Sequence, residues 1–220
     1  MAGQVRAAGR SVRRVLRSRL ALPLLIALPA LVIAAAGLAH PLSLTTDTAE
    51  RWQLTHLVLL PAFPLLAGSL LVLLRGERGP AAWGARGLAV AYAVLYGALD
   101  AIAGIGAPQQ VLGAERRGEP RPSIGDLYTI SDRLGALGVS AFAAAGALTA
   151  LLLYLRTRSP LALVGGAVVV LASYPFLRNH VFPPRGVLAL VAIAVGLGLL
   201  ELSRTGAGLS GRTPEPAARG

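Results

Sequence analysis

The sequence contains no cysteine and no lysine. Without cysteine there can be no disulfide framework, no thiolate metal centre and no cysteine nucleophile. All 21 basic side chains are therefore arginines. Charge is scarce as well: 14% of the residues are charged, against roughly a quarter in an ordinary soluble domain. Aromatics stand at 5% and the arginines sit at the ends of apolar runs. The net charge of +11 is therefore not the basic, aromatic-studded face of a nucleic-acid-binding domain. It reads as topology signals and as attraction to anionic lipids at the cytoplasmic face of a membrane.

What the chain does have is apolar sequence. Hydrophobic residues make up 55% of it, gathered into six runs at 20–39, 54–74, 87–107, 134–155, 161–177 and 187–202. About 20 apolar residues span a bilayer as a helix. The expected fold is all-α: a polytopic bundle of six transmembrane helices over 20–203, with short loops and one interfacial helix. No segment outside the runs is long enough for a second domain. Residues 1–19 carry six arginines and no acid, and the apolar run behind them exceeds the roughly 7–15 residues of a signal-peptide core. They are expected to be a cytoplasmic basic segment before a retained first span. Residues 204–220, rich in Gly, Pro, Ser and Thr, read as a disordered cytoplasmic tail.

The connections carry local signals. Asp47 with Glu50 three residues on resembles a capping box at the start of the second span, and Trp52 reads as an interface anchor. Residues 109–130 form the longest expected loop. Within it Ile124, Leu127, Tyr128 and Leu134 recur at helical spacing, predicting an amphipathic interfacial helix from Ser123. The fourth span is crowded with small residues, among them the rows Ser140–Ala144 and Ala141–Ala145–Thr149, spaced for close helix approach. With the N-terminus in the cytoplasm, fourteen of the 21 arginines fall inside, so both termini are expected there, in a multi-pass protein of the cell membrane.

On that topology the three histidines, His40, His56 and His180, all fall on the outer side, where Asp100 stands inside the third run. An acid within a membrane span is a functional candidate by default. Tyr92, Tyr96 and Asp100, spaced by four, share one helix face. The sharp reading is an outward-facing polar pocket with Asp100, His56, Tyr96, His180 and Arg178 as ligand-binding residues. The plain reading pairs Asp100 with Arg133, Arg178 or Arg185 and leaves His40 exposed at the interface. Two imidazoles and a carboxylate suit a zinc-type ion with an open position, which makes His56, His180 and Asp100 the metal candidates. The HExxH spacing of metalloproteases is absent, haem would need histidine pairs at matching depth, and no nucleophile elbow surrounds Ser140 or Ser173. The sequence does not specify a cofactor, and a site without one is equally compatible with it. The expected function is binding or passage of a small ligand or ion, or service as an accessory subunit beside another membrane protein or a second copy. A membrane-embedded metal-dependent hydrolase is the alternative. An enzyme would bring His56, His180 and Asp100 to within about 3–7 Å of one another.

Overall fold

The computed structural model describes residues 21–206, so the expectations for 1–19 and for the tail beyond 206 lie outside the described residues. Seven α-helices follow one another: α1 (Ala21–Leu38), α2 (Thr46–Leu73), α3 (Pro80–Leu99), α4 (Ala107–Arg116), α5 (Gly125–Thr157), α6 (Pro160–Asn179) and α7 (Arg185–Gly206). A π-helical stretch, Asp100–Gly106, joins α3 to α4. The continuous rod from Pro80 to Arg116 counts as one span, so six helices are long and apolar enough to cross a membrane. This is the expected bundle, and the protein is an integral membrane protein.

Three local expectations change. The loop at 109–130 shrinks, because the third span continues to Arg116. Pro108, which lacks an amide hydrogen, is absorbed where the ladder has already widened: the amide of Ala107 donates to Ile102, five residues back. A π-turn of this kind tolerates the missing donor. The amphipathic segment is not a separate interfacial helix either, since α5 runs unbroken for 33 residues from Gly125. The start of α2 is capped by Thr45 and Thr48, which exchange the two capping-box bonds, rather than by Asp47 and Glu50.

Small residues set the spacing of the helices. Ala141, Ala145 and Thr149 are buried on α5, whereas Ser140 and Ala144 face outward. α3 packs chiefly on α5, and α6 on α7. A Cβ at Gly165 would lie 2.8 Å from the carbonyl oxygen of Gly196, so α6 and α7 touch there backbone to backbone.

Because the spans alternate in direction, the bundle has two polar ends. At one end meet the termini of α2 and α5 and the last turns of α7. Glu201, fully buried, is bonded by Arg75 through both guanidinium nitrogens. Arg204 donates to the carbonyls of Leu73 (2.6 Å) and Arg75 (3.0 Å), and Arg86 to those of Leu74 and Glu77. These bonds engage carbonyls at the end of α2 and in the turn that follows it. At the opposite end all three histidines converge.

Candidate metal centre

His40 follows the end of α1, His56 stands two to three turns into α2, Asp100 opens the π stretch, and His180 caps α6. Four separate elements thus deliver one imidazole or carboxylate each to the same place. Aromatic rings surround them: His40 packs edge-on against Trp52 and Phe182, and the His56 and His180 rings stack at 5.8 Å, 11° from parallel. Trp52, read from the sequence as an interface anchor, is buried in the protein and donates to the carbonyl of Ala103 in the π stretch. His40, expected to be exposed, is 4% exposed. The rings of Trp52 and Phe182 account for the burial of His40.

The hydrogen bonds have a fixed polarity. His40 Nδ1 lies 2.6 Å from the carbonyl oxygen of Pro41, which can only accept, so Nδ1 carries the hydrogen. Burial first, and then the neighbouring His56, lower the His40 pKa to about 4, so this ring is neutral at pH 7 and its Nε2 is an acceptor. His56 Nε2, at 2.9 Å, therefore donates to it. That leaves His56 Nδ1 facing Asp100 Oδ1 at 2.6 Å with one proton shared between them. The carboxylate thus pairs with a histidine and not with Arg133, Arg178 or Arg185.

His180 is oriented by Tyr96, whose hydroxyl lies 2.6 Å from Nδ1. In the tautomer whose Nδ1–H donates to that hydroxyl, Nε2 presents a lone pair. Burial, followed by the charges of His56 and His40, holds the His180 pKa well below its usual value. His180 Nε2 and Asp100 Oδ2 are both buried without a hydrogen-bond partner among the described residues. One ligand atom from each of His56, Asp100 and His180 can be chosen so that all lie within 4.8 Å of one another. A tetrahedral zinc-type site has ligand atoms about 3.3 Å apart, so modest side-chain rotations would close the set on one ion.

Two backbone features serve these side chains. A Cβ at Gly104 would collide with the His56 ring, so the π stretch can approach α2 only through a glycine. His180 adopts φ +48°, ψ −128°, and the amide of Phe182 donates to Asn179 O at 2.9 Å. These are the dihedrals of the first central residue of a type II′ turn, a place glycine normally takes. A histidine there is strained, and such strain concentrates at functional sites.

Above the cluster is a half-open cavity of about 200 Å³, lined by His56, Tyr96 and His180 below, by Leu99, Ala136, Leu177 and Phe182 on its walls, and by Asp132, Arg178 and Asn179 towards its mouth. Arg178 is exposed; it borders the cavity rather than the carboxylate. Trp52, His40 and Gly104 contribute to the site although the sequence reading did not place them among its ligand-binding residues. Only the three-dimensional packing identifies them. No family model, no curated protein and no solved structure matches the chain.

Proposed function

We propose that this integral membrane protein binds one divalent transition-metal ion of the zinc class through His56 Nδ1, His180 Nε2 and Asp100, and that the ion has an open position facing the cavity. The observation that carries the reading is the convergence of two buried ligand atoms without a partner among the described residues, His180 Nε2 and Asp100 Oδ2, beside His56 Nδ1, which is held on Asp100 Oδ1. His56 gives its second N–H to His40, and His180 turns its Nδ1 to Tyr96. Metal-binding histidines are held in this way, with the non-ligating nitrogen fixed by a neighbour. A cation would displace the proton now shared between His56 and Asp100, so binding should release it.

Such an ion, open to a cavity, supports metal-assisted hydrolysis, in which bound water becomes a nucleophile near neutral pH. Passage of an ion through the bundle has less support. Elsewhere in the bundle the buried hydroxyls of Thr149 and Ser173 bond back to their own helices, and that of Ser69 bonds to the Ile26 carbonyl on α1. Elemental analysis of the purified full chain tests the reading. One equivalent of zinc-class metal per chain is expected, falling below a tenth in Asp100→Asn and His56→Gln. Metal-free protein that takes up none on dialysis against Zn²⁺ would refute it.

A further inference from the structure

Where the site stands relative to the apolar belt points to its substrate. On α2 the exposed large apolar side chains begin at Leu54, on α7 at Leu188, and on α6 they end at Tyr174. His56 is two residues past Leu54, about 3 Å along the helix, and His180 is six residues outward of Tyr174, about 9 Å. The cluster therefore sits at the edge of the hydrocarbon layer, where the acyl chain of a lipid gives way to its polar end. The cavity lies between the first turns of α5 and the last turn of α6, with Ala136, Leu177 and Leu99 on its walls and Asp132 and Arg178 at its mouth. Apolar walls with a polar mouth suit an amphiphile. About 200 Å³ holds a linking group and a few methylenes, so the rest of the chain must stay in the bilayer.

From this placement we infer that the protein hydrolyses an acyl ester of a membrane-resident amphiphile, with the ester carbonyl reaching the His56–His180–Asp100 centre from the plane of the membrane. The assignment rests on the metal reading above. A carbonyl is favoured over a phosphoryl group because Arg178 is the only cationic side chain among the described residues lining the cavity and it is exposed, whereas phosphoryl transfer draws on converging cationic side-chain clamps. The step balances with water alone. The water oxygen bonds to the carbonyl carbon and the carbon–oxygen bond to the alcohol breaks. One water proton ends on the departing alcohol and the other on the acid, which releases it to solvent.

The test uses the full-length chain, loaded with Zn²⁺ and held in mixed detergent–lipid micelles, with p-nitrophenyl decanoate, p-nitrophenyl acetate and bis(p-nitrophenyl) phosphate as probes. Metal content is measured on each sample. The expected result is decanoate cleavage with kcat/KM at least tenfold above that for acetate, and no cleavage of the phosphodiester. Ala136→Phe, and independently Leu177→Trp, should retain the metal yet lose at least tenfold in decanoate hydrolysis, because each fills the cavity without touching a ligand. Bound metal without ester cleavage overturns the substrate assignment and leaves the metal site standing. So does preference for acetate or for the phosphodiester. Absence of metal overturns both.

Discussion

His180 shows how a single residue can expose what the fold is for. Its Nε2 is buried, but its backbone occupies a conformation that costs a non-glycine residue about 1–2 kcal/mol. Replacing it by alanine or by glycine removes the same ring, and only glycine relieves the backbone. His180→Gly should therefore be more stable than His180→Ala by about 1–2 kcal/mol in denaturant or thermal unfolding, although neither binds metal. Equal stabilities would mean that the turn carries no strain. Gly104 makes the converse case. Alanine is favoured over glycine in an exposed helix by about 1 kcal/mol, yet Gly104→Ala should lower zinc affinity at least tenfold in a chelator competition, because its methyl group displaces the His56 ring. His40 sets a pH limit. Its folded pKa, about 4, lies below the roughly 6.5 of an unfolded histidine. Above pH 6.5 it is neutral in both states. As pH falls from 6.5 towards 4 only the unfolded chain takes up the proton, so stability is lost across that window. His40→Gln should flatten the melting temperature between pH 7 and pH 4.5 relative to the unsubstituted chain.

Among the elements, the π stretch is where reading the sequence reached its limit. The apolar run with Asp100 inside it was legible as a span, because length and hydrophobicity alone decide that. The widened turn was not, since nothing in DAIAGIG distinguishes a five-residue hydrogen-bond step from a four-residue one. Histidines and acid were legible as types grouped on one side, through arginine counting and helix alternation. Their partners were not: Trp52 and His40 looked like surface residues because each sits near a helix end, and what buries them comes from α6–α7 and α4. The π stretch should be testable by shortening. Deleting Ala101, which is exposed, would restore α-helical register and turn Gly104 and the Ala103 carbonyl away from α2. Helix content by circular dichroism should stay unchanged while zinc affinity falls at least tenfold. Retained affinity would separate the π turn from the site.

At the scale of the whole molecule the two polar ends do different work. The arginine–glutamate end closes the termini of α2, α5 and α7, and its buried Glu201 is paired with Arg75, which is 39% exposed. Breaking a buried ion pair costs about 3–5 kcal/mol, and solvent around Arg75 lowers this. Glu201→Gln should therefore destabilise by about 2 kcal/mol and leave zinc affinity within twofold. An equal loss of both would mean that the ends are not independent. Six crossings put the start of α1 and the end of α7 at the arginine-rich end, away from the histidines. The central claim, that three side chains from separate spans close on one ion, is tested most directly by the visible absorption spectrum of the full chain loaded with Co²⁺ in place of Zn²⁺. The account predicts an intense tetrahedral-type d–d band that saturates at one Co²⁺ per chain and disappears in His180→Gln. A spectrum no different from octahedral aqueous Co²⁺ would contradict it.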